Sequence, residues 1–162
     1  MRKILLFPFL LLMGLILNSC NNITGPDAQL VQIYFKYSFS NVLNTFDNTY
    51  QKDLVMDGTI TVNFWLTAEE QKRILDKANE IDFFLLPEDF PKIDSLDFDP
   101  NPGLQKMQIK YQNKNKTVTW HYPLDSQDPQ VAALMSLKDF IIQIIEAKPE
   151  YKKLPMGRGG YQ

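Results

Sequence analysis

One histidine and one cysteine stand among 162 residues, and that scarcity decides most of the chemistry open to this chain. Zinc sites of the usual kinds need several imidazole or thiolate ligands, so they are excluded. His121 lies between Trp120 and Tyr122. Acid–base or nucleophilic catalysis needs a partner within hydrogen-bond reach, and the sequence nominates none. We therefore read His121 as a partly exposed strand residue and assign no catalytic residue. Glu88 and Asp89 are adjacent, but paired catalytic carboxylates must face each other across a substrate, which adjacency does not supply. Asp97, Asp99 and Asn101 recur at every second position, a pattern that aims oxygens at one hard cation, as calcium loops do. Against calcium, Pro102 stands where the sharp-turn glycine belongs and Gln108 where the bidentate Glu belongs, with no flanking helix pair. A solvated acidic loop is the favoured reading. Trp65, Phe90 and Phe98 are candidate binding aromatics. Trp65 falls on the polar side of its strand, suited to a protein or sugar partner; the competing and favoured reading buries it under the loop carrying Phe84, Leu86, Phe90 and Phe98. No P-loop, G-x-G-x-x-G or G-x-S-x-G motif occurs, so no cofactor is expected.

The N-terminus carries a different signal. Arg2 and Lys3 precede an uninterrupted apolar run from Ile4 to Leu17, of signal-peptide length and shorter than the ~20 residues a spanning helix needs. The run ends in Leu17-Asn18-Ser19-Cys20. This resembles the lipobox of bacterial lipoproteins, with an aliphatic residue three places before the cut, a small residue just before it and Cys just after; Asn18 is a less usual occupant of the position between them. The resemblance implies cleavage before Cys20, a diacylglycerol on its thiol and acylation of the new amine, and two or three acyl chains make anchoring stable. Residues 1–19 are then a signal peptide, and acylation of the chain's only cysteine leaves no thiol for a disulfide, metal or nucleophile. Asn21 rather than Asp follows the cysteine, which in the enterobacterial sorting rule implies the outer membrane, facing the periplasm. Removing the leader leaves 15 basic against 19 acidic residues, a balance that argues against nucleic acid as partner.

The elements that must position these residues follow from periodicity. Asn21 to about Gln29 is polar, includes Gly25-Pro26 and reads as a tether; nine residues reach at most about 30 Å. Leu30 to Phe39 alternates with Val31, Ile33, Phe35, Tyr37 and Phe39 on one face, a half-buried strand. A second strand is expected over Thr45 to Val55, then a hairpin turn at Asp57-Gly58, where both positions tolerate φ > 0, feeding a strand with Ile60, Val62, Phe64 and Leu66 inward. Thr67-Ala68-Glu69-Glu70 spells a capping box for a helix to about Ile81 with Ile74, Leu75, Ala78 and Ile81 as its apolar stripe and Glu69 and Arg73 as a pair at i, i+4. From Phe83 to Leu104, Pro87, Pro91, Pro100 and Pro102 interrupt the pattern, and a connection that long is functional or mobile. Met107, Ile109 and Tyr111, a turn at Asn113-Lys114-Asn115, and Val118, Trp120 and Tyr122 form a second hairpin. Asp128-Pro129 opens a helix through Val131, Leu134, Leu137, Ile141, Ile144 and Ile145, which Pro149 closes.

Together these predict an α+β fold: two layers, a mainly antiparallel sheet of about five strands and two helices packed on one face. Residues 20–29 are the lipidated Cys and tether, 30–148 a single domain and 149–162 a flexible Gly-rich tail. The run from Asp57-Gly58 through Thr67-Ala68-Glu69-Glu70 to Ile81-Asp82-Phe83-Phe84-Leu85-Leu86-Pro87 resembles a family of domains of unknown function in secreted and lipid-anchored bacterial proteins. The Cys-Pro element of that family is absent here around Tyr37 to Tyr50. The resemblance implies fold and location, not an activity. The function expected is that of a non-enzymatic envelope lipoprotein, bound to the membrane through Cys20 and binding an envelope protein or polysaccharide. An inhibitor or accessory subunit using a Trp65, Phe90 and Phe98 patch, and a hydrolase of an envelope polymer, are the alternatives.

Overall fold

The computed structural model describes residues 31–91 and 101–161. Cys20, its leader and tether, and Asp97, Phe98 and Asp99 lie outside the described residues. Seven strands form one sheet: β1 (Gln32–Tyr37), β2 (Asn41–Asn44), β3 (Thr49–Asp53), β4 (Thr59–Asn63), β5 (Asp89–Phe90), β6 (Gln105–Tyr111) and β7 (Lys114–Trp120). Their spatial order is β4-β3-β2-β1-β6-β7-β5, antiparallel throughout except for the short β5, which runs parallel to β7. The first of the described strands is thus the central strand of the sheet.

Two long helices cover one face, α1 (Ala68–Glu80) and α2 (Pro129–Ala147), and a single turn, α3 (Pro149–Lys152), follows. The α+β class and one-sided helix layer agree with expectation; among the described residues the sheet holds seven strands rather than about five, and there are three helices rather than two. Of the strand expected over Thr45 to Val55 only Thr49–Asp53 forms, as the second arm of a hairpin with β2. Asn41–Asn44 pairs with β1, residues 45–48 turn with Asn48 at φ 53°, and only Thr49–Asp53 continues as β3. The alternation of Phe46, Asn48 and Tyr50 was misleading because Phe46 belongs to that turn, where it is exposed.

The core follows the strand period. Ile33, Phe35 and Tyr37 of β1, Leu43 of β2, Tyr50 of β3, Met107 and Ile109 of β6 and Val118 and Trp120 of β7 point toward the helices and are buried. Gln32, Tyr34, Lys36, Lys106, Gln108 and Lys110 alternate onto the open, polar face, as expected when one side of an antiparallel sheet meets water. Ile74, Leu75 and Ala78 of α1 and Val131, Leu134, Leu137, Ile141, Ile144 and Ile145 of α2 complete the same core.

Helix boundaries come from their caps. Thr67 Oγ1 accepts from the Glu70 amide at 3.1 Å while a Glu70 carboxylate oxygen accepts from the Thr67 amide at 2.7 Å, satisfying two amides that the first turn cannot. Asp128 accepts from the Gln130 amide at 2.7 Å, with Pro129 at the first helical position. The two helices run antiparallel: the start of α2 lines a cavity with Ile81 and Asp82, and Lys148 at its end donates to Glu70 at 2.8 Å. Arg73 does not pair with Glu69; its guanidinium lies over the Phe140 ring of α2, 5.3 Å from the centroid, and Lys72 and Asp76 form an i, i+4 pair on α1.

Of residues 149–162, expected to be a flexible tail, Pro149–Lys152 form the turn of α3 and 157–161 lie against the β3–β4 turn. Val55 bridges to Arg158, the Met56 amide donates to the Arg158 carbonyl, Arg158 pairs with Asp57, and Tyr161 stacks on Phe39 and donates to Asp53. In that turn the left-handed residues are Val55 (φ 59°) and Gly58 (φ 75°), not Asp57. Likewise the β6–β7 turn is Gln112-Asn113, with Gln112 at φ 53°, because Lys114 and Asn115 already pair in β7.

Candidate functional site

The residues singled out for chemistry are dispersed. His121 follows β7, is half-buried and makes no hydrogen bond or ion pair among the described residues. Glu88 and Asp89 diverge across the sheet edge: Asp89 accepts from the Thr119 hydroxyl at 2.9 Å, whereas the Glu88 carboxylate points to Lys116 at 3.9 Å. Their backbone ties β5 to β7, with the Thr119 amide donating to the Glu88 carbonyl at 2.8 Å, so the segment is a structural edge. Of the calcium candidates only Asn101 is described; its Oδ1 accepts from the Gly103 amide at 2.7 Å. No cluster of three His, Cys, Asp or Glu residues able to hold a metal occurs among the described residues.

The aromatic candidates separate as well. Phe90 is part of the core and cannot anchor a partner. Trp65 is 54% exposed, against the favoured expectation that it is buried. It follows β4 and Phe90 lies in β5, at opposite edges of the sheet, roughly 29 Å apart for six strand spacings. A joint Trp65–Phe90 patch is therefore ruled out.

A different grouping emerges at one end of the sheet. The Ile33 amide donates to the Thr45 hydroxyl at 2.7 Å, and the Thr45 amide to the Ile33 carbonyl at 2.8 Å. The chain therefore enters β1 beside the 45–48 turn, next to Phe46, which is 37% exposed. The Phe64 amide donates to the Asn48 carbonyl at 2.8 Å, which puts Trp65 at the same end. The β6–β7 turn is there too, since Gln32 pairs with Lys110, and Leu85, 80% exposed, lines a cavity of about 460 Å³ with Asn113 and Lys114. The entry point of the chain is thus flanked by exposed Trp65 and Phe46 on one side and Leu85 on the other. Phe84-Leu85-Leu86 gave no period from which Leu85 could be read as exposed; a 3-10 turn over Phe83–Leu85 buries Phe83 and Leu86 and turns Leu85 outward.

Two buried polar arrangements escaped sequence reasoning. Tyr37 and Tyr50 place their hydroxyls 2.7 Å apart within the core. Burial pushes both phenols far above their ordinary range. The signal was two tyrosines on inward strand positions, since a buried Tyr hydroxyl usually finds a partner. Gln105, fully buried, donates to the Ser38, Pro102 and Gly103 carbonyls at 3.0, 3.1 and 3.0 Å, fixing the point where the long connection rejoins the sheet. Among the described residues no helix is long and apolar enough to cross a membrane. In comparison with known proteins, no family model matches the chain and no curated protein is similar to it.

Proposed function

We propose that this chain is a bacterial envelope lipoprotein, cut before Cys20 and held through acyl chains on that cysteine, whose α+β domain is a non-enzymatic binding module near the membrane surface. The observation that carries the reading is the sequence Leu17-Asn18-Ser19-Cys20 at the end of a short apolar run preceded by Arg2 and Lys3. Cys20 is the only cysteine, and it stands at the one place where such a leader requires it. Placement at the outer membrane, facing the periplasm, rests on Asn21. Glu88 and Asp89 line one cavity of about 470 Å³, but their carboxylates turn to Lys116 and Thr119 rather than to each other and His121 is not in that lining, which favours binding over catalysis. Labelling with radioactive palmitate tests the anchor. The wild-type chain should take up label and fractionate with membranes, and Cys20→Ala should do neither, or remain attached only with its leader uncut. Normal leader removal and unchanged membrane attachment in Cys20→Ala would overturn the reading.

A further inference from the structure

The placement of the chain's entry point in the fold bears on what the domain touches. β1 is the fourth of seven strands, so the segment preceding Val31 joins the sheet at the middle of one end. Flanking that point are Trp65 beyond β4, Phe46 in the β2–β3 turn and Leu85 beside the start of β7. The row spans the sheet nearly edge to edge, roughly 24 Å for five strand spacings.

From this geometry we infer that the end of the sheet where the chain enters is a membrane-contact surface, on which Trp65, Phe46 and Leu85 seat in the headgroup layer of the bilayer. The inference rests on the lipid anchor at Cys20 proposed above. Two observations select a bilayer as the occupant. First, nine tether residues reach at most about 30 Å, and turning the opposite end to the membrane would consume about 20 Å of that along the six residues of β1. About 10 Å of reach would remain, so the exposed Met56 and Met156 at that opposite end meet the bilayer only with the tether two-thirds or more extended. Second, the exposed set includes a tryptophan, whose apolar ring and indole N–H suit the boundary between acyl chain and water. Charge does not drive the contact. Asp47 and Asp82 share this end with Lys110 and Lys114, so adsorption depends little on salt or on anionic lipid.

The two tryptophans make the test direct, because Trp120 is fully buried and Trp65 is the accessible one. The full-length lipidated protein is reconstituted into vesicles of phosphatidylethanolamine and phosphatidylglycerol, with or without lipid brominated near the headgroup end of the acyl chain. Flotation reports attachment, and iodide and bromolipid quenching report the position of Trp65. The expected result is flotation, loss of iodide access to the level of buried Trp120, and bromolipid quenching that disappears in Trp65→Phe. Flotation with Trp65 open to iodide and untouched by bromolipid would overturn the contact surface while leaving the anchor standing. Flotation with Trp65 shielded from iodide but not quenched by bromolipid would assign the patch to a second copy of the chain and also overturn it. Failure to float would sink the anchor and, with it, this inference.

Discussion

Replacing Glu70 should loosen the joint between the two helices, and the structure sets the scale. One Glu70 carboxylate oxygen accepts from the Thr67 amide at 2.7 Å, closing the capping box, and from Lys148 at 2.8 Å, tying the start of α1 to the end of α2. The side chains are 21% and 11% exposed, between the surface pairs that contribute about 0–1 kcal/mol and the buried pairs whose rupture costs about 3–5 kcal/mol. We take about 1–2 kcal/mol for the lost pair and about 0.5–1 kcal/mol for the lost cap. Glu70→Ala should then destabilise the domain by about 2 kcal/mol, lowering Tm by roughly 6–10 °C. Glu70→Gln keeps an acceptor for the Thr67 amide and should lose about half as much. Lys148→Met removes the charge but leaves an apolar stem beside Phe64, over whose ring the ammonium lies. The double-mutant cycle should return a coupling of about 1 kcal/mol. The pair also fixes a pH dependence. Burial raises the Glu70 carboxyl, but the Lys148 and Thr67 donors outweigh it and hold the group below its usual 4.5. A folded-state value below the unfolded one means that this stabilisation is complete above the unfolded pKa and is lost as pH falls through the folded one. Urea melts of wild type and Glu70→Gln between pH 7 and 3 should converge toward the acid end. A loss under about 0.5 kcal/mol in Glu70→Ala, or parallel pH curves, would refute the reasoning.

The remaining predictions concern the turns and the core. Cutting the chain after Lys153 removes the Arg158–Asp57 and Tyr161–Asp53 contacts, so native-state proteolysis should cleave the β3–β4 turn faster in the truncated protein; equal rates would show that the C-terminal segment does not protect it. Val55 is β-branched at φ 59°, a conformation costing a non-glycine residue about 1–2 kcal/mol. Val55→Asn should therefore raise stability by about 0.5–1 kcal/mol in chemical denaturation, and a loss would mean that Val55 packing outweighs the backbone strain. The phenols of Tyr37 and Tyr50 are raised by burial, so they favour the folded state below the unfolded value near 10, and that stabilisation is lost as pH climbs above it. Phenolate absorbance should rise in two phases, the second coincident with loss of near-ultraviolet dichroism and absent from Tyr37→Phe/Tyr50→Phe; a single phase without unfolding would contradict the buried pair.

Elements with strong local signals were legible in the sequence. Thr67 and Glu70, and Asp128 with Pro129, are capping chemistry that works through immediate neighbours, and both helices begin where those residues require. The inward faces of β1, β6 and β7 were read from alternation because those strands are long and covered on one side only. β2 was missed because Asn41-Val42-Leu43-Asn44 is too short for a period of two to register. β5 was missed because its two residues pair only through their place beside β7. Composition misread the C-terminal segment: glycine freedom is a local property, whereas Arg158 and Tyr161 meet Asp57 and Asp53 from a hundred residues away. Trp65 was misplaced for the same reason, since its exposure depends on which loop passes over it. The grouping of Trp65, Phe46 and Leu85 follows from strand order, and no spacing in the sequence encodes it.

The central place of β1 also sets an order of assembly. Residues 31–63 form a meander of strands adjacent in sequence, whereas the other edge of β1 is covered only once Gln105–Tyr111, about seventy residues downstream, is in place. Until then the half-sheet has a row of unpaired amides and carbonyls along β1, and Ile33, Phe35 and Tyr37 lack both β6 and α2 as cover. Contacts of such sequence separation slow folding relative to domains built from local contacts. A chain ending before β6 carries a sticky edge rather than a smaller stable domain.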